Sequence, residues 1–115
     1  MKISQQDGTL NATKLQQLGA TNADLFQEEM QSAMAADLKA IEVDFSETSF
    51  VDSHGLGALL MIHKTACNRH GDVPLRVVNP QPSVQQILEL TRMHRIFEIV
   101  KRPVLTVEMA EAHSR

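Results

Sequence analysis

The chain has a single cysteine, Cys67, and neither tryptophan nor tyrosine. One thiol cannot close an internal disulfide, so a disulfide-built secreted scaffold is excluded and a reducing compartment fits best. Four phenylalanines are the only aromatic residues. The core must therefore be aliphatic, and the chain has no stacking platform for single-stranded nucleic acid. Basic clusters are also short. None exceeds Lys101-Arg102, and the net charge is −3, so nucleic acid is not an expected partner. The longest apolar stretch, Ala58-Leu59-Leu60-Met61-Ile62, falls far short of the ~20 residues of a membrane span. The opening Met1-Lys2-Ile3-Ser4-Gln5-Gln6-Asp7-Gly8 has no apolar signal region. These absences lead to the expectation of a cytoplasmic protein without membrane insertion.

What is present suits one small globular unit. A chain of 115 residues is long enough for one domain and too short for two. Asp7-Gly8 reads as a tight turn between two short strands, the second over 9–15. Thr21 or Asn22 is a plausible N-cap for a helix over 23–34, where Phe26, Met30, Ala33 and Met34 recur at helical spacing. Residues 40–45 alternate apolar and polar as a strand does. A long helix over about 53–69 follows and stops at Gly71-Asp72. Leu75-Arg76-Val77-Val78 is a strand, Pro80-Gln81-Pro82 opens a helix over 83–90, and 96–100 is the last strand. A short terminal helix over 104–112 completes the expectation. Strands alternating with helices imply an α/β domain over 1–115. The sheet should be mixed, with four to five strands, and covered by three to four helices with right-handed crossovers.

The most informative stretch is Phe50-Val51-Asp52-Ser53-His54-Gly55-Leu56-Gly57. Ser53 falls at the start of the long helix, where free backbone N–H groups and the helix dipole favour an anion. A phosphate there would carry about −1.5 to −2 charges. Gly55 and Gly57 lower helix propensity by up to ~1 kcal/mol each. Their expected use is to keep the surface beside Ser53 open to another protein's active site. The plainer explanation is that Asp52 and Ser53 only cap the helix and that the glycines ease packing.

Residues 50–60 resemble the signature of STAS domains in anti-sigma-factor antagonists. Leu75-Arg76-Val77-Val78-Asn79-Pro80, with Val84, Ile87-Leu88-Glu89-Leu90-Thr91 and Ile96-Phe97, is similar to that family's next strand, helix and final strand. The likeness runs over about 41–100. It implies a STAS-like fold and makes Ser53 the phosphoacceptor, with the aspartate before it matched by Asp52; Asp52, His54 and Gly55 are the residues expected to support the acceptor site. It also implies a GHKL-type serine kinase, often the anti-sigma factor itself, as the phosphate donor, and a PP2C-type phosphatase that reverses the step. Two departures stand out. The second serine often found after the acceptor is His54 here. Members often carry Gly-x-x-Asp before the first helix, and the corresponding run here is Gln16-Gln17-Leu18-Gly19, which lacks the acid.

At 100° per residue, Leu56, Leu59, Leu60, Ile62, His63, Ala66 and Cys67 share one wide apolar side of the long helix. Lys64, Thr65, Asn68 and Arg69 fall largely on the other side, and Met61 lies among them. Ser53, Gly57, Met61 and Lys64 are neighbours at i, i+4 and i+3 spacing. This strip, with Leu60 at its edge, is the expected partner-binding face. Other constellations are weaker. Asp52, Ser53 and His54 cannot form a hydrolase triad as consecutive residues. His63, Cys67 and His70 share a helix face, but His63 and Cys67 read as core or boundary residues rather than zinc ligands. Arg92, His94 and Arg95 read as a solvated helix end.

The leading expectation is therefore a regulatory binding protein and not an enzyme, with no cofactor and no metal. Unphosphorylated, it binds the anti-sigma kinase; phosphorylated on Ser53, it is released. The alternatives are a STAS subunit of a transport or lipid-trafficking ABC assembly that works without phosphorylation, and a small-ligand STAS sensor.

Overall fold

The structure is a computed structural model and describes residues 1–103. The chain begins with a hairpin of β1 (Lys2–Gln6) and β2 (Thr9–Thr13). Its turn places Asp7 and Gly8 at φ 52° and 82°. This is the doubly left-handed geometry that an Asp-Gly pair accommodates and that matches strand twist. β2 ends at Thr13 rather than at residue 15, because Lys14 adopts φ 60° and turns the chain away from the sheet. A two-residue strand, β3 (Gln17–Leu18), comes next, followed by α1 (Ala23–Ala33), β4 (Ala40–Asp44), a second two-residue strand β5 (Phe50–Val51) and α2 (Ser53–His70). β6 (Leu75–Val78), α3 (Pro82–Leu90), a 3-10 turn (Met93–Arg95) and β7 (Glu98–Val100) complete the described chain. The terminal helix expected over 104–112 lies outside the described residues.

The main sheet has the order β1-β2-β4-β6-β7, antiparallel at the hairpin and parallel elsewhere. Each parallel step moves one strand further in the same direction. Crossovers of one hand then set α1, α2 and α3 on the same face. One continuous core results. Leu10, Ile41, Val43, Leu75 and Val77 from the sheet pack with Phe26, Met30, Leu59, Ile62, Val84 and Leu88 from the helices. The last strand is shorter than the expected 96–100. Ile96 and Phe97 are bonded back to Met93 through the 3-10 turn, which drives Phe97 into the core before pairing starts.

The opposite face of the sheet is polar, because strand residues alternate between the two sides. Glu42 sits at its centre with a side chain only 16% exposed. Arg102 forks onto both of its carboxylate oxygens at 2.7 Å, and Arg76 lies 3.5 Å away while also bonding Glu98 at 2.9 Å. The Arg102 hydrogen bond is the main reason that the Glu42 carboxyl is held below its ordinary value; the positive charges of Arg102 and Arg76 add to it and outweigh desolvation. A depressed carboxyl stabilises the fold while it is ionised. Glu42→Gln is expected to lower stability by about 0.5–1 kcal/mol at neutral pH. The difference from the parent should shrink as pH falls below about 4.5, where the parent's own Glu42 begins to lose its charge advantage. Urea melts of both proteins at neutral and acidic pH check this. A gap that stays constant with pH refutes it.

Candidate functional site

Asp52 organises the site. It is the N-cap of α2, in extended conformation, and Oδ1 accepts from the His54 and Gly55 amides at 2.9 and 3.1 Å. Such a bridge satisfies helix-start donors that would otherwise go unpaired. Oδ2 reaches across to the loop before α1 and accepts from the Ala20 amide at 3.0 Å. The Gly55 amide is the largest cause that holds the Asp52 carboxyl below its ordinary value. It outweighs desolvation, and the Ala20 and His54 amides add to it. Ser53, directly after this anchor, is the first residue of α2 and is exposed. His54 is exposed as well, with Nδ1 3.8 Å from Asp52 Oδ1.

The second wall of the site comes from residues 15–22, before the stretch over which the sequence likeness runs. β3 pairs in parallel with β5, Gln17 against Phe50 and Leu18 against Val51. The Ser49 amide donates to Gln16 O, the Asp52 amide to Leu18 O, and the buried Thr48 hydroxyl to Leu15 O. The run that stands before α1 and meets Asp52 is Gly19-Ala20-Thr21-Asn22. It has the Gly-x-x-Asp spacing with an amide in the acid's place, which corrects the placement of that run at 16–19. Asn22 is the N-cap residue by position, yet its side chain does not cap α1. Its Oδ1 accepts from the Gly19 amide and its Nδ2 donates to Gln17 O, both at 2.9 Å. Only a carboxamide can do both at once, so an amide locks this loop where a carboxylate would face the Gln17 carbonyl.

The two glycines of α2 do different things. Gly55 does not keep a surface open. It is buried, and a Cβ there would lie 2.2 Å from the backbone oxygen of Leu18. Its missing side chain lets the start of α2 press against β3, and its amide supports Asp52. Gly57 fits the open-surface expectation, since a Cβ there would meet nothing within 4 Å. Gly19 also needs its bareness, because a Cβ would come within 2.7 Å of Asp52 Oδ2 and 3.1 Å of the Phe50 ring.

The strip on α2 is arranged as the helical wheel predicts. Ser53 and Lys64 are exposed, Met61 is 45% exposed, and Gly57 and Leu60 are half-buried, with Leu60 packed on the core's edge. Thr65 and Arg69 turn toward α1 and bond Gln31. His63 stacks edge-on against Phe97, and its Nε2 lies 3.5 Å from Cys67 Sγ, so both are boundary residues. Among the described residues, no group of three or more His, Cys, Asp or Glu is gathered to hold a metal. No described helix is long and apolar enough to cross a membrane. Phe50 opens the signature stretch but is not part of the expected partner-binding strip. It is 51% exposed, while Phe26, Phe45 and Phe97 are all fully buried. Its place on a strand just before Val51, which points inward, was the only available signal.

A polar-backed mixed sheet with three helices on one face, and a capped helix start facing solvent beside a two-strand ribbon, defines a small α/β domain of one architecture. The profile of the STAS domain family matches residues 3–110, and the chain belongs to that family. No curated protein matches the sequence. Among solved structures, SpoIIAA, an anti-sigma factor antagonist in its unphosphorylated form, superposes with a TM-score of 0.70 at 19% identity. That match covers 99% of this chain and 95% of SpoIIAA. A protein of Thermotoga maritima assigned provisionally to the same class gives a TM-score of 0.73 at 22% identity, over 97% and 92% of the two chains. The murine solute carrier 26 family member A9 anion transporter contains a similar domain, with a TM-score of 0.69 at 19% identity. It covers 94% of this chain but only 18% of the transporter.

The glycines give a paired test. Gly55→Ala is expected to cost about 2–3 kcal/mol, because the neighbour in the way is backbone and cannot rotate aside. Gly57→Ala is expected to leave stability unchanged or raise it by up to ~1 kcal/mol through helix propensity. Denaturant melts of the two variants measure the difference. Equal effects would refute the assignment.

Proposed function

We propose that the protein is a phosphorylation-controlled anti-sigma factor antagonist whose acceptor is Ser53. The observation that carries this reading is the exposed hydroxyl at the first residue of α2, directly after a carboxylate fixed by three backbone amides, in a chain of the STAS family. Unphosphorylated, the protein binds an anti-sigma factor that is also a GHKL-type serine kinase. The docking face runs from Phe50 past Ser53 and Gly57 to Leu60, Met61 and Lys64. Phe50 and Met61 supply the apolar anchors, and Phe50 is held on a paired strand, so ordering it on binding costs little entropy. The kinase supplies the base, the nucleotide and Mg²⁺, which is why Ser53 needs no catalytic partner of its own. A phosphoryl group on Ser53 puts about −1.5 to −2 charges into the middle of this face, next to the Asp52 carboxylate. Burying that charge against a partner carries a large desolvation cost, and the complex separates. A PP2C-type phosphatase restores the binding form. The protein then acts in the cytoplasm as a regulator of transcription, without catalytic residues, cofactor or metal.

A second reading draws on the similar domain inside the murine anion transporter. There the chain would be a STAS subunit of a transport or lipid-trafficking ABC assembly, and Ser53 would be unmodified.

Incubation with ATP and the cognate kinase is expected to add about 80 Da, one phosphoryl group, and Ser53→Ala to abolish the addition. A kinase that binds the protein yet leaves its mass unchanged, or modifies Ser53→Ala equally, overturns the reading. In the same system Met61→Asp and Phe50→Ala should each weaken kinase binding at least about tenfold while leaving the thermal midpoint within a few degrees of the parent. Unchanged affinity for both variants refutes the docking face.

A further inference from the structure

We infer that His54, and not the start of α2, holds a phosphoryl group carried on Ser53. The inference rests on Ser53 being the modified hydroxyl. A helix start is ordinarily a good anion site because its first amides are free. Here those amides are already engaged. The Asp52 amide donates to Leu18 O, the His54 and Gly55 amides donate to Asp52 Oδ1, and the Leu56 amide donates to Asp52 O. Among the described residues, only the Ser53 amide in this turn is left without a partner. A phosphoryl group at Ser53 therefore meets one donor and a fixed, ionised carboxylate. Asp52 cannot rotate away without giving up three hydrogen bonds.

The counter-charge has to come from elsewhere. α3 packs on β5 with its N-terminal end at the 46–49 loop, where Gln81 Nε2 donates to Ser46 O; its one titratable side chain is the exposed acid Glu89, and Arg92, His94 and Arg95 stand beyond its opposite end. Residues 15–22, the loop packed against the site, carry no titratable side chain. The loop before β5 contributes Glu47 and the first turn of α1 contributes Asp24, both exposed acids that add to the repulsion. Lys64 shares the face of α2 but lies eleven residues on, about 16 Å along the axis. Lys14 opens the 15–22 loop from the far side, in a hollow with Met1, Gln16 and Gln17. His54 is adjacent in sequence, its side chain is 68% exposed, and its ring stands at the carboxylate beside Ser53. An exposed imidazole changes rotamer freely and can turn from Asp52 to a neighbouring phosphate. A protonated imidazole can donate to a phosphoryl oxygen and offset part of its charge.

The test uses the full chain with phosphoserine installed at position 53 during translation, followed by ³¹P NMR across neutral pH. His54→Gln is expected to raise the phosphate's titration midpoint by about half a unit or more, because the cation that favours the dianion is gone. His54→Arg, a permanent cation, is expected to bring the midpoint back down. The unphosphorylated His54→Gln protein should melt as the parent does. A midpoint that is the same in the parent and in His54→Gln, or lower in the variant, overturns the inference. Because no kinase is used, this result is independent of whether an enzyme modifies Ser53, which the mass measurement above decides.

Discussion

The site depends on one carboxylate. Asp52 joins two parts of the chain that are 32 residues apart in sequence, the loop before α1 and the first turn of α2. Hydrogen bonds from backbone amides to an ionised carboxylate are among the stronger ones in proteins. Three converge here, and the close approach of Gly55 to Leu18 needs the same alignment. The β3–β5 ribbon and the buried Thr48–Leu15 bond hold the two loops in register around it. Ser53 is consequently presented from a braced frame rather than from a free loop. Such a frame suits a docking surface, since little ordering is left to be done when a partner arrives.

Much of this fold was legible in the sequence, for local reasons. Asp7-Gly8 can hardly be anything but a hairpin turn, Pro82 opens a helix at a position where its missing N–H costs nothing, and Gly71 at φ 83° stops one. The face of α2 followed from its period, and so did the exposure of Met61. What was not legible depended on contacts distant in sequence. Gln17–Leu18 is too short to show alternation, and it becomes a strand only because Phe50–Val51 lies beside it. Asn22 has the composition of a cap but spends both ends of its amide on its own loop. Gly55 and Gly57 look alike two residues apart on a helix. Only the position of the Leu18 carbonyl separates the one that packs from the one that faces open space. The amides at the start of α2 looked free for an anion until the Asp52 side chain was seen to occupy them.

The two sides of the sheet divide the work. The helix side carries the apolar core and, on its outer crest, the candidate docking strip. The other side is held by ionic contacts, with Arg102 and Arg76 closing over Glu42 and Arg76 extending to Glu98 on the edge strand. Those residues come from β4, β6, β7 and the segment beyond it, so the charge network ties the parallel strands together on the side that has no described helix. Changes in charge at Ser53 are remote from this network and separated from it by the core. The stability of the sheet and the charge at the site can therefore vary independently, as the proposed switch would need.

The occupied helix start also bears on how a switch of this kind would work. Were the first amides of α2 free, a phosphoryl group would be drawn into the fold, its charge partly neutralised and its effect on a partner blunted. With Asp52 already seated there, added charge has no internal sink. It stays at the surface, between a fixed carboxylate and an exposed imidazole, where a partner has to confront it. On the proposed function no rearrangement of the helices would be needed, because the energy opposing binding would arise at the interface itself, from desolvating the added charge against whatever approaches. If Ser53 is the modified hydroxyl, as proposed, the capping carboxylate would do two things with one geometry: hold that hydroxyl in place, and leave a phosphoryl group no free amides to settle on.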